Sequence, residues 1–178
     1  MSTATLERIR DRPTRAALGA DIEDVDLSRP LDDVVFAAIE QAWMAHQVLR
    51  FRGQRLDEDK LTAFSERFGQ LDKAPVRAAN VREYQNPYVL IVSNIVENGQ
   101  AIGSLGNYEA QWHIDMSYLD NPPIGSVLYA VEVPPRGGET GFGNLYRAYE
   151  TLPAELKVTI EGRVATHDAS YNLSLIHI

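Results

Sequence analysis

Glycine and proline break the middle of this chain into short pieces, and that punctuation limits the fold more than any other feature. From Gly69 to Gly143 the apolar runs are cut at Pro87, Gly99, Gly103, Pro122, Pro123, Pro134, Pro135, Gly137 and Gly138. Proline removes a backbone donor and glycine weakens any helix it enters, so what survives is of strand length. Two such runs, YVLIVSN (88–94) and IGSVLYAVEVPP (124–135), are rich in β-branched residues and predict strands. RGGET (136–140) predicts a tight turn into another short strand, and ENGQAIGSLGNYEAQ (97–111) predicts a polar loop of the kind that covers sites. Helical spacing is confined to the flanks. Asp32 or Asp33 caps a helix running to about His46, with Val35, Phe36, Ile39, Ala42 and Trp43 at helical intervals. Asp57 caps a second, with Leu61, Phe64, Ser65 and Phe68 on one face and Gly69 as its stop. Short β stretches precede each, in GADIE and in QVLRFRGQ, and two short helices broken near Pro153 follow. The expectation is a mostly β fold with flanking helices, an antiparallel sandwich or barrel. No G-x-G-x-x-G follows a strand and no Walker A sequence occurs, which disfavours a parallel nucleotide-binding sheet.

The 178 residues predict a single domain, 1–178, with enough chain to bury a core. A net charge of −8 without any basic cluster argues against nucleic acid, whose binding needs phosphate neutralisation. It leaves an anionic small molecule open, because a positive pocket can sit inside an acidic protein. The absence of cysteine excludes disulfides, thiolate nucleophiles and Cys-ligated zinc or iron–sulfur sites. No apolar leader opens MSTATLERIRDRPTRA and no 18-residue apolar run follows, so the expectation is a soluble cytoplasmic protein without membrane contact. A homo-oligomer is compatible with everything read so far.

Chemistry concentrates in WHIDMSY, residues 112–118. On a strand, side chains at i and i+2 leave the same face, so His113 and Asp115 would project together while Ile114 points away. An imidazole and a carboxylate converging there can share a metal ion or simply hydrogen-bond each other. With 4 histidines and 25 acidic residues, chance alone supplies about 0.6 H-x-[DE] tripeptides, so the motif by itself is weak. Two His and one carboxylate would leave iron with open positions for co-substrate and oxygen.

A second motif, PPRGGETGF, places Thr140 27 residues after His113. Together, GNYEAQWHIDMSY, NPPIGSVLYAVEVPPRGGETGFGNLYRAYETLP and EGRVATHDAS resemble the taurine / 2,4-dichlorophenoxyacetate dioxygenase family of Fe(II)- and 2-oxoglutarate-dependent oxygenases. GADIEDVDLSRPL and HQVLRFRGQRLDEDKLTAFSERFG are similar to that family as well, and the motifs run in family order from Gly19 to about Asn172. The resemblance implies a double-stranded β-helix, a jelly roll of the clavaminate synthase type. It implies that His113 and Asp115 are two of three Fe(II) ligands and that Thr140 contacts a carboxylate of 2-oxoglutarate. It implies a dioxygenase that uses O2 to hydroxylate a small anionic organic substrate, with succinate and CO2 released. Trp112 would pack beside the metal-binding strand or in the core.

Some positions depart from the family pattern. Where taurine-specific members carry a His, a Tyr and an Asn for the sulfonate, an ungapped reading puts Ala74, Arg77 and Glu109, which argues against taurine as substrate. Arg77 reads as an anion partner or a solvated surface residue. The family's distal His ligand and its 2-oxoglutarate-clamping Arg would lie beyond residue 178, and only His167 and His177 follow the motifs. His167 reads as a structural histidine near a strand end, and His46 as a core or C-cap residue. The ending LSLIHI (173–178) matches a translated transposase-adapter sequence, so a non-native tail after Asn172 is expected. The chain then reads as the N-terminal portion of a dioxygenase domain, its β-helix incomplete, with weak iron binding and no turnover by itself. Two other classes compete: a non-catalytic ligand-binding β-barrel with His113 and Asp115 hydrogen-bonded to each other, and a zinc-dependent hydrolase. Thr140 favours the oxygenase, since neither competitor needs a 2-oxoglutarate anchor.

Overall fold

The computed structural model describes residues 9–74, 86–105 and 112–168. They divide into two compact units, described separately below: one comprises the described residues up to Arg67 together with Tyr129–Arg163, the other those of Phe68–Leu128 and the segment from Val164.

In the first unit, β1 (Arg10–Pro13), β2 (Ala20–Glu23) and β3 (Leu49–Phe51) form a sheet in that order, with β2 antiparallel to β1 and parallel to β3. β2 alternates strictly: Ala20 and Ile22 are buried, Asp21 and Glu23 half-exposed. Asp21 pairs in register with Arg50 on β3, whose guanidinium donates to both carboxylate oxygens at 2.6 and 2.9 Å. That fork holds the Asp21 carboxyl below its ordinary range.

The crossover from β2 to β3 runs through α1 (Asp33–His46), which starts where the Asp32 side chain accepts from the Val35 amide at 2.9 Å. Phe36, Ile39 and Ala42 bury one stripe of it, and Ile39 is 0% exposed. Burial of one such aliphatic or aromatic side chain contributes about 1.5–3 kcal/mol. α2 (Glu58–Glu66) begins on Asp57 and buries Phe64, whose ring meets Phe51 edge-on at 5.8 Å. Arg67, at its end, ties the two helices together. It donates to the Leu31 carbonyl at 2.7 Å and to Asp33 at 2.9 Å, and lies 4.3 Å over the Phe36 ring. The Gln54 amide accepts from the Leu27 N–H at 2.8 Å and donates to the Val25 carbonyl at 2.9 Å, pinning the chain between β2 and α1. Tyr129 Oη accepts from the Leu56 N–H at 3.2 Å. Two short helices, α3 (Leu145–Glu150, capped by Asn144) and α4 (Ala154–Ile160, begun at Pro153), complete this unit.

The second unit holds two small ladders. β4 (Val92–Ser93) lies parallel to β7 (Ser104–Leu105), and β5 (Val96–Glu97) forms a hairpin with β6 (Gln100–Ala101). Asn98 and Gly99 turn that hairpin at φ 51° and 79°, the left-handed pair that an Asn-Gly turn uses. Gly103 is buried, and a Cβ there would fall 2.7 Å from the Ile91 carbonyl and the Ser93 backbone.

Three expectations need correction. The strand at 88–94 shrinks to Val92–Ser93, and the polar loop from 97 contains a hairpin. Residues 124–135 carry no strand, because no neighbouring segment among the described residues supplies a ladder. Of the three described sheets one is mixed, one parallel and one antiparallel. Among the described residues, no helix is long and apolar enough to cross a membrane.

Candidate functional site

WHIDMSY is not a strand: residues 113–114 are irregular, 115–118 form a turn, and Met116 takes a left-handed φ of 50°. The expected convergence arises all the same, by a different route. His113 Nε2 lies 3.0 Å from Asp115 Oδ1, brought together by proximity across two residues rather than by a shared strand face. Both side chains are open to solvent, at 51% and 62% exposure. Ser126 directs its hydroxyl at the second oxygen, Asp115 Oδ2, from 3.5 Å, the outer limit of a hydrogen bond. His167 Nδ1 lies 2.8 Å from the hydroxyl of Ser117, two residues after Asp115. All five residues belong to the second unit.

Thr140 belongs to the first unit. It is exposed and follows a bend at 135–137 with Gly137 and Gly138 both at left-handed φ, 76° and 72°; the short strand expected after RGGET is absent, since 138–144 are irregular. An L side chain is strained at either glycine, which fixes the residue types that can lead into Thr140. Trp112 packs neither in a core nor against a strand: it is 79% exposed. His46 is the last residue of α1 but neither core nor C-cap as expected: it is half-buried, and Gln47 caps the helix. His46 Nε2 sits 2.9 Å from Asp11 and holds that carboxyl below its ordinary range. Ala74 is half-buried, its N–H donating to the Pro87 carbonyl at 2.8 Å. Arg77, Glu109, His177 and the 173–178 tail lie outside the described residues.

The donor chemistry of the pair fits half of a divalent metal site. An imidazole nitrogen and a carboxylate oxygen each bound at about 2.1 Å at right angles would stand about 3.0 Å apart, the spacing found here. The same spacing suits a hydrogen bond. Among the described residues no third His, Cys, Asp or Glu joins them to make a group of three. Ser117 and Ser126 are the neighbours that motif reading missed. Neither residue type signals a site by itself; Ser117 lies within WHIDMSY, and the fold brings Ser126 to the pair.

Comparison with known proteins gives the pair a context. Residues 10–174 match the family model described as "Taurine catabolism dioxygenase TauD, TfdA family". Pentalenolactone F synthase of Streptomyces avermitilis is 38% identical over 156 residues, spanning 85% of this chain and 50% of that protein. The alpha-ketoglutarate-dependent 2,4-dichlorophenoxyacetate dioxygenase of Cupriavidus pinatubonensis is 34% identical over 165 residues, spanning 88% and 57%. The crystal structure of a taurine dioxygenase from Burkholderia xenovorans superposes with a TM-score of 0.67 at 33% identity, over 87% of this chain and 52% of that one. The chain thus spans about half the length of the curated relatives it matches.

Proposed function

Because this chain belongs to the TauD, TfdA dioxygenase family, we propose that it contributes His113 and Asp115 to an Fe(II) site and Thr140 to the binding of 2-oxoglutarate. The protein so equipped is a dioxygenase that oxidises a small anionic organic substrate in the cytoplasm. The chain supplies the N-terminal portion of a double-stranded β-helix that is incomplete within it. The observation that carries this reading is the 3.0 Å approach of an exposed imidazole nitrogen to an exposed carboxylate oxygen.

Each residue has a definite task. Neutral His113 offers the Nε2 lone pair, and ionised Asp115 offers Oδ1 and a compensating negative charge. Thr140 offers a hydroxyl to the far carboxylate of the co-substrate, from a loop whose path the glycine pair sets. When bound, ferrous iron with 2-oxoglutarate supplies the activation of O2, one oxygen atom leaving in succinate and the other entering the substrate. The substrate is a narrower question than the family. A pentalenolactone F synthase, a 2,4-dichlorophenoxyacetate dioxygenase and a taurine dioxygenase all resemble this chain. Sulfonates, sulfate esters, aryloxyacetates and amino-acid-derived acids are therefore all candidates, and Ala74 argues against taurine among them.

The competing non-catalytic reading, a hydrogen-bonded pair, is favoured by one observation: no third ligand type joins the pair among the described residues. Titration of the 178-residue chain with Mn(II), with free ion read by electron paramagnetic resonance, separates the two. Weak saturable binding that His113→Ala and Asp115→Ala each abolish supports the site; binding indifferent to both substitutions overturns it. A succinate-release screen over small organic acids with a full-length relative then addresses the substrate.

A further inference from the structure

We propose that His167 is a positioning residue for the Asp115 carboxylate, acting through the hydroxyl of Ser117. This rests on the reading of His113 and Asp115 as metal donors. Asp115 opens a turn in which Met116 holds a left-handed φ of 50° and the Leu119 N–H donates to the Met116 carbonyl at 3.1 Å. A left-handed methionine is disfavoured, so such a turn keeps its form only where its surroundings over-determine it. Packing does little of this, since His113, Ile114 and Asp115 are all exposed. Among the described residues, a tie from outside is the 2.8 Å bond between Ser117 Oγ and His167 Nδ1, which spans fifty residues of sequence. The bond forms in either tautomer, with the hydroxyl donating to a bare Nδ1 or Nδ1–H donating to the hydroxyl oxygen. It therefore fixes Ser117 in place, and with it the backbone that aims Asp115 Oδ1 at His113 Nε2. The Ser126 contact at 3.5 Å is too long to do this alone. His167 touches neither donor, so its effect is on where the carboxylate points.

Loss of an orienting partner of a metal ligand weakens affinity by roughly 10–100-fold, and for an exposed pair the lower end, about tenfold, is expected. Mn(II) affinity of the 178-residue chain is measured by electron paramagnetic resonance for wild type, His167→Ala, His167→Asn, Ser117→Ala and the His167→Ala/Ser117→Ala double variant. His167→Ala and Ser117→Ala should each lose about tenfold. The double variant should lose no more than either, because both remove one bond. His167→Asn, whose amide reaches the place of Nδ1, should recover most of the affinity. Circular dichroism monitors folding, and if His167→Ala unfolds the chain, Ser117→Ala and His167→Asn decide the matter alone. Unchanged affinity in Ser117→Ala or His167→Ala, additive losses, or failure of His167→Asn to restore binding in a folded chain overturns the proposal. Wild-type binding lost in His113→Ala yet kept in folded His167→Ala sinks this inference and leaves the metal site standing. No wild-type binding at all removes both.

Discussion

From Ala20 to Phe64 the chain buries its apolar side chains, while from Trp112 to Val164 it leaves them in water. Every buried hydrophobic side chain among the described residues lies in the first stretch. The second exposes Ile124, Leu128, Val133, Tyr146 and Val158, and Val131 is 87% exposed. Composition does not explain the contrast, because the second stretch has as strong a β-branched pattern as the first. Partnership does. α1 closes over β2 and β3 and meets α2 through Arg67, whereas residues 124–135 have β-type sequence and no described ladder. A strand is a relation between segments, and side chains suited to a pleated surface stay exposed until a second surface covers them. The candidate metal donors lie in the open stretch, held by hydrogen bonds rather than by a core.

The comparison can be broken most directly at Ile39. Ile39→Ala leaves a cavity in the packed stretch and should cost about 2–5 kcal/mol, read as a fall in the urea midpoint. A loss below about 1 kcal/mol would mean that this stretch is no better packed than the other. Arg67→Ala comes next. Asp33 is fully exposed and contributes little to the pair, so the loss should reflect the Leu31 carbonyl and the Phe36 ring, about 1–2 kcal/mol.

The acid limb is a finer probe. Arg50 lowers the Asp21 carboxyl below its ordinary 3.8. The stability this gives is complete above that value and fades as the pH falls through the lower folded-state value. Asp21→Asn should therefore flatten the decline in melting temperature below about pH 4, and an unaltered acid limb would detach Asp21 from stability. The smallest effect is expected at Val131. Val131→Ala should shift stability by less than about 0.5 kcal/mol, and a larger loss would show that this stretch is covered in solution.

The helices were legible because their signals are local. Asp32, Asp57 and Asn144 each accept from an amide three residues on, and Pro153 breaks the last helical segment. β1 escaped notice since RDRP is polar, ends in proline and lies on a sheet edge, where no alternation is required. The hairpin at Asn98–Gly99 had a readable turn signal but only two paired residues on each side. At the candidate site, H-x-D spacing correctly anticipated that His113 and Asp115 meet, but for the wrong local reason. No periodicity argument foresees a left-handed Met116. Ser117 and His167 were beyond reach, because nothing in the sequence indicates which side chains fifty positions apart will bond.

Gly103 carries a consequence for how this chain can vary. A methyl group at that position would overlap the Ile91 oxygen and the backbone nitrogen of Ser93, atoms that cannot swing aside as a side-chain tip could. The parallel pairing of β4 with β7 therefore depends on an absent atom, and even alanine, the most conservative replacement available, has nowhere to go. This codon admits no replacement without a shift of that backbone.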